Sequence, residues 1–361
     1  MKVYQSHRRY NAPMKKDIKS YSFEQLRELC QQLGEPRFRC DQLIQWLYVK
    51  FAQSFDEMTN LPLTLRTKLQ EECSFQPTTI IDKQISRDGT RKYVIQLADG
   101  HYVETVGIPS YDSSNSLKRL TVCFSTQVGC AMQCVFCATG HEGFIRNLSS
   151  GEMITQILVV QNDFNARVSN LVSMGQGEPF QNYDALLEAL RFMNNKKGLE
   201  IGARHITLST CGLIKGINKL SQEPEQFTLA VSLHAARQEI RDKLMPRCIH
   251  NPLTDLKKAL LNYITKTGRR VSFEYLLIRG INDSENDLNA LIDFTDSLLC
   301  HINLIPLNDI DESPFKPSSA ETQNHWLTTL QHHHRETTIR NSRGSDIDGA
   351  CGQLKNKLLN S

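Results

Sequence analysis

Apolar residues recur at helical spacing early in the chain and in strand-like runs after it. Ser22-Phe23-Glu24-Gln25 has the form of a capping box, and Leu26, Leu29 and Cys30 follow on one helical face. A second helix is expected from near Pro36 through Leu43, Ile44, Trp46 and Leu47, and a third over residues 63–69. Residues 21–75 therefore read as a small helical accessory module. Strand-like stretches then cover 80–86, 91–97 and 101–108, parted by Asp88-Gly89 and Asp99-Gly100. Asp-Gly between apolar runs is a strong hairpin signal, so residues 76–116 are predicted to form a three-stranded β-meander closed by a linker rich in Asp, Ser and Asn.

From residue 117 the two periods alternate. Strands are expected at 119–124, 168–174, 204–209, 227–233, 271–277 and 301–305, and helices at 152–161, 183–193, 214–220, 253–265, 285–299 and 320–330. Ser149-Ser150-Gly151-Glu152 caps the first of these helices. Six βα units argue for a parallel sheet, and they are too few for an eight-stranded closed barrel. The fold class predicted for 117–342 is thus α/β, a partial (βα)6 barrel, followed by a tail over 343–361. Its chemistry belongs at the carboxyl ends of the strands.

Composition narrows the class without naming a function. The chain has 361 residues, 40% hydrophobic and 22% charged, with net charge +3. No apolar run approaches the roughly 18 residues that span a bilayer. The basic N-terminus lacks an apolar segment behind it, as a secretory signal would need, so a cytoplasmic location is expected. Eleven cysteines is many for such a chain, and an odd number cannot all pair. Cys30, Cys40, Cys73, Cys248 and Cys300 stand singly among apolar residues and read as small buried hydrophobes. Residues 1–20 carry Lys2, Arg8, Arg9, Lys15, Lys16 and Lys19 against Asp17 alone. This stretch is either a solvated tail or an RNA-contacting arm.

Cys130, Cys134 and Cys137 form a CxxxCxxC run just after the first strand of the alternating region. Three thiolates on one loop can ligate three corners of a cubane and leave the fourth iron open. A structural zinc site would want a fourth protein ligand, for which His141 is the nearby candidate, but the spacing is not that of paired CxxC motifs. Ligand count and softness favour iron–sulfur. After the second strand comes Gly175-Gln176-Gly177-Glu178-Pro179, whose glycines allow close backbone approach and whose Glu178 can accept from a ligand ammonium. Ser209, the run Ser232-Leu233-His234, and Asn308 end later strands, where either a pocket or a simple cap would use them.

The cysteine run, with Phe136 before its last member, resembles the signature of the radical S-adenosylmethionine superfamily. Further stretches resemble the RlmN/Cfr family of RNA methyltransferases, most closely its RlmN-type members. They are Gly34-Glu35-Pro36-Arg37-Phe38-Arg39, Gln45-Trp46-Leu47-Tyr48, Val103-Glu104-Thr105-Val106, residues 121–130 around Cys123, Phe144-Ile145-Arg146-Asn147-Leu148, Ile206-Thr207-Leu208-Ser209-Thr210, and residues 343–354 around Cys351. The resemblance implies a 4Fe-4S cluster on Cys130, Cys134 and Cys137, and S-adenosylmethionine held by Gly177, Glu178, Ser209, Ser232, Leu233, His234 and Asn308. Two cofactor molecules serve each turnover. One methylates Cys351, and the other yields the radical that takes hydrogen from that methyl. The methylene then adds to an adenine ring carbon, Glu104 serves as proton acceptor, and Cys123 helps remove the ring proton and attacks Cys351 to leave a disulfide. Ring carbons C2 and C8 of adenine are poor nucleophiles, which is why a radical is needed.

The substrate so implied is an adenosine of 23S rRNA, with tRNA as well in some members; RlmN-type enzymes modify C2 and Cfr-type enzymes C8. The helical module becomes an RNA-binding module in this reading. Expected partners are RNA and an external low-potential electron donor, with no membrane and a monomeric chain. Departures from the family pattern are Gln176 for Met, Leu307 and Asp309 around Asn308, and Cys211-Gly212 for Ser-Gly. Cys137-Ala138-Thr139-Gly140 is shared with Cfr-type sequences. A peptide-modifying radical enzyme would carry a second cysteine-rich region, which the C-terminal third lacks, and a metal-dependent RNA-binding module would have no use for Cys123 and Cys351. His332-His333-His334 is read as a solvated helix end, since consecutive helical residues do not share a face.

Overall fold

The structure is a computed structural model that describes residues 15–308, 314–340, 342–350 and 352–354. The chain divides into two units, Met1–Pro77 and Thr78–Ser361. The first holds α1 (Phe23–Gln32), α2 (Arg37–Tyr48) and α3 (Leu63–Glu72). The capping box at Ser22 forms in both directions: Ser22 Oγ accepts from the Gln25 amide and Gln25 Oε1 from the Ser22 amide, each at 3.1 Å. Leu26, Leu43, Leu47, Leu65 and Leu69 fill the core, with Phe23 and Tyr48 edge-to-face at 5.6 Å. Cys30, Cys40 and Cys73 are buried among them as small hydrophobes. The part of the basic arm before Lys15 lies outside the described residues.

The second unit opens with β1 (Thr79–Ile85), β2 (Arg91–Gln96), β3 (Tyr102–Tyr111) and β4 (Leu117–Cys123), paired antiparallel in that order. Of residues 111–116, read from sequence as a linker, Tyr111 ends β3 and the rest form the tight turn between β3 and β4. Asp112 Oδ1 accepts there from the amides of Ser114 and Ser116. The strands β5 (Gln127–Gly129) and β6 (Phe144–Asn147) form a separate two-stranded hairpin enclosing α4 (Ala138–Glu142). Then follow α5 (Ser150–Phe164), β7 (Asn170–Val172), α6 (Tyr183–Asn194), β8 (Ile206–Thr210), α7 (Ile214–Leu220), β9 (Thr228–Ser232), α8 (Gln238–Leu244), α9 (Leu253–Thr267), β10 (Val271–Leu277), α10 (Glu285–Thr295), β11 (Cys300–Pro306), α11 (Ala320–His332) and β12 (Thr337–Ile339).

Ten strands make one sheet in the order β1-β2-β3-β4-β7-β8-β9-β10-β11-β12. Pairings from β4 to β12 are all parallel, each strand reaching the next by a crossover connection. This is the α/β class with a mostly parallel, partial-barrel sheet. The meander continues that sheet through the β3–β4 ladder, and β12 adds a seventh parallel strand to the six expected. Three residues are too few for β12 to show a period, and the two turns of α8 escape notice for the same reason. Helix α10 stops at Thr295, short of residue 299, because Asp296 is extended and Ser297 takes φ 64°. The three histidines end α11, exposed as expected. Among the described residues no helix is long and apolar enough to cross a membrane.

Candidate active site

A cleft of ≈ 990 Å³ opens at the carboxyl ends of the parallel strands. Cys130, Cys134 and Cys137 line one wall together with Met132 and Phe136. The loop is held by the Cys130 amide donating to the Gly143 carbonyl at 2.7 Å and the Val135 amide to the Leu244 carbonyl at 3.1 Å. Burial pushes the Cys130 thiol up to about 12 and Cys134 well above its ordinary value. Alone in this cleft both stay protonated, and a cation against them would be needed to favour the thiolates. Among the described residues no three His, Cys, Asp or Glu side chains converge as a single ion would require. A cubane takes its ligands at separate corners, so three thiols facing one roomy cleft fit a 4Fe-4S cluster.

The cleft is lined also by Gly177, Glu178, Ser209, Ser232, His234 and Asn308. Gly177 has φ 101°, and a Cβ there would sit 2.6 Å from the Gln127 Cβ, so only glycine fits. The Glu178 carboxylate accepts from the Phe180 amide at 3.0 Å and the Cys211 amide at 2.8 Å. Burial raises its pKa, opposed by these bonds. Ser209 and Ser232 hydroxyls stand 3.5 Å apart on adjacent strands. His234 Nδ1 accepts from the Leu276 amide at 3.1 Å, and its ring meets Phe136 edge-on at 4.8 Å. Burial, then Arg241, pushes His234 down to about 3, so it is a neutral imidazole whose Nε2 carries the proton.

Leu233 is the one expected pocket residue that gives the cleft nothing. Its side chain is fully buried, its amide donates to the Glu274 carbonyl at 3.0 Å, and its carbonyl accepts from Arg241. Sequence reasoning missed Arg241, a fully buried guanidinium that also donates to the Cys211 carbonyl at 2.5 Å and the Ser232 carbonyl at 3.2 Å. It missed too that Cys211 and Cys248 meet behind the cluster loop, where the Cys248 thiol donates to the Cys211 carbonyl at 3.4 Å.

Cys123 and Glu104 do not line this cleft. Cys123 faces a second cavity of ≈ 740 Å³, bordered also by Ile108, Thr121, Arg343, Ala350 and Leu354. Met174, Ile305 and Arg340 line both cavities. Strand register sets Lys92, Val106, Cys123 and Val172 side by side across β2, β3, β4 and β7. Glu104, two residues before Val106, shares that face. The C-terminal tail lies over it: Leu354 packs on Val106 and Cys123, and Lys92 Nζ donates to the Asp348 carbonyl at 3.5 Å. Cys351 itself lies outside the described residues. Its neighbour Ala350 borders the cavity of Cys123, and Gly352 borders the larger cleft.

A mostly parallel α/β sheet with three cysteines of a CxxxCxxC loop at its strand ends defines a radical S-adenosylmethionine enzyme, and residues 124–292 match the Radical SAM superfamily. That superfamily works with a 4Fe-4S cluster and S-adenosylmethionine. Residues 16–75 match the ribosomal RNA large subunit methyltransferase N-terminal domain. A relative from Clostridium novyi, named "Probable dual-specificity RNA methyltransferase RlmN", is 41% identical over 345 residues, 95% of this chain and 99% of the relative. Another of the same name from Alkaliphilus oremlandii is 44% identical over 344 residues, 95% and 98% of the two chains. The crystal structure of a radical SAM methyltransferase from Sphaerobacter thermophilus matches with TM-score 0.86 at 40% identity, covering 94% of this chain and 99% of that one. The chain belongs to the RlmN family of radical S-adenosylmethionine RNA methyltransferases.

Proposed function

We propose that this enzyme methylates C2 of an adenosine in 23S rRNA, and an adenosine of tRNA as well, through a methyl group carried on Cys351. The observation that carries the reading is the tail laid over Cys123, with Ala350 at one cavity and Gly352 at the other. Cys351 stands between those two residues in sequence, and the proposed reaction needs both the cofactor cleft and the thiol of Cys123. The dual-specificity name of the relatives supports the two RNA substrates.

Cys130, Cys134 and Cys137 would hold the cluster, and Gly177, Glu178, Ser209, Ser232, His234 and Asn308 would surround S-adenosylmethionine. Leu233 contributes by fixing its two neighbours. When bound, these groups supply the methyl donor and the hydrogen-abstracting radical, with two cofactor molecules spent per turnover and an external low-potential donor reducing the cluster. Cys351 carries the methyl as a thioether. Glu104 accepts the proton lost from the ring carbon. The Cys123 thiolate then attacks the Cys351 sulfur: an S–S bond forms, the S–C bond breaks, and its electron pair goes to the carbon, which takes up a proton to become the product methyl group. A base stacked within folded RNA must be splayed out to reach this site.

Nucleoside mass spectrometry on 23S rRNA and tRNA treated with the reconstituted enzyme tests the reading. 2-Methyladenosine in both is expected. 8-Methyladenosine would move the chemistry to the other ring carbon, and unmodified adenosine throughout would overturn it.

A further inference from the structure

Lys92 is 3% exposed, and Glu104, against which it packs, is 2% exposed. Their charged ends are 3.5 Å apart. Burying an ammonium is costly, and a fold keeps one only where its partners are fixed. Lys92 has a second partner in the Asp348 carbonyl, which belongs to the tail three residues before Cys351. Asp348 takes φ 51°, a left-handed conformation that non-glycine residues seldom adopt, and its carbonyl is held there on Lys92. One buried side chain thus joins the strand of Glu104 to the segment carrying Cys351, within the same row that contains Cys123.

We propose that Lys92 is a positioning residue, fixing the Glu104 carboxylate in register with the methyl-bearing tail. This rests on the roles proposed above for Glu104 and Cys351. Lys92 makes and breaks no bond itself. It leaves methyl loading of Cys351 alone and acts on the later step in which Glu104 takes the ring proton. If that proton is not removed, the RNA stays covalently joined to Cys351.

The test uses the full chain with its cluster, as Lys92→Met and Lys92→Gln variants, with Cys123→Ala in parallel. Methyl loading is read from the intact mass, and RNA attachment from a denaturing gel. Both Lys92 variants should load Cys351 to within about twofold of the parent and lose product by on the order of 10- to 100-fold, the scale of a misplaced group. Attached RNA should accumulate. Lys92→Gln keeps a donor for Asp348 and is decisive should Lys92→Met fail to bind iron. Normal turnover, or loss of loading and product together in iron-replete protein, would overturn the assignment. If Cys123→Ala also traps no RNA, the cysteine mechanism falls and the role of Lys92 with it; if Cys123→Ala traps RNA while the Lys92 variants do not, only Lys92 is misassigned.

Discussion

The Thr139 hydroxyl donates to the Leu354 carbonyl at 2.7 Å, joining residues 215 positions apart in sequence. One residue before, the Ala138 amide donates to the Gly352 carbonyl at 2.8 Å. The short helix that follows the cluster cysteines therefore grips the tail on the C-terminal side of Cys351. One main-chain and one side-chain hydrogen bond thus tie Gly352 and Leu354 to that helix.

The roles proposed for Cys351 and Cys123 predict a different failure for each. Cys351→Ala should bear no methylthioether and form no product. Cys123→Ala should still load the methyl and attack RNA, leaving RNA attached through Cys351 as a shifted band on a denaturing gel. Full turnover by Cys123→Ala without trapped RNA would remove Cys123 from the mechanism.

For the cluster, anaerobically purified protein should be brown with about four irons per chain. Replacing Cys130, Cys134 or Cys137 by Ala should abolish the colour and deoxyadenosine formation. Stoichiometric zinc without iron after anaerobic reconstitution would contradict the donor set.

His234 gives a signed pH dependence. Its ordinary value of 6.5 falls to about 3 in the folded chain through burial. Between those values the unfolded chain binds a proton that the folded chain refuses, so stability drops as pH falls through this window. Urea unfolding at about pH 7 and about pH 5 should show a larger loss for the parent than for His234→Gln. Equal losses would mean that folding leaves the His234 pKa at its ordinary value.

Arg241→Met should destabilise by about 3 kcal/mol or more, because it strips a donor from the buried carbonyls of Ser232, Leu233 and Cys211. Urea titration measures this directly. A change below about 0.5 kcal/mol would place those carbonyls against water instead.

Deleting residues 1–75 removes nearly all of a separate compact unit and should leave the iron content intact. RNA affinity should weaken and its dependence on salt should flatten, as lost phosphate contacts require. Equal affinity for rRNA across a salt series would assign the helical module another task.

Local chemistry was legible in the chain and distant chemistry was not. The cysteine run, the Gly177-Glu178 turn and the boxes at Ser22 and Ser149 each lie within ten residues, so spacing alone exposes them. The strands also showed, since buried parallel strands are continuous apolar runs. Lys92 and Arg241 could not be found this way. Lys92 meets Asp348 across 256 positions and Arg241 meets Cys211 across 30, and neither has a motif of its own. Cys248 is the buried filler its sequence suggests, but its contact with Cys211 is reached only through the fold.

The walls contributed by Arg340, Gly352 and Leu354 are also a matter of timing. These residues are synthesised after every strand of the sheet. Domains fold as they emerge, so the nascent chain can assemble its sheet and three-cysteine loop before the residues that finish the two cavities exist. A chain cut short just before Cys351 would keep the sheet and the three-cysteine loop and lack two residues that wall the cavities. On the role proposed for Cys351, such a copy would also have nothing on which to carry the methyl group.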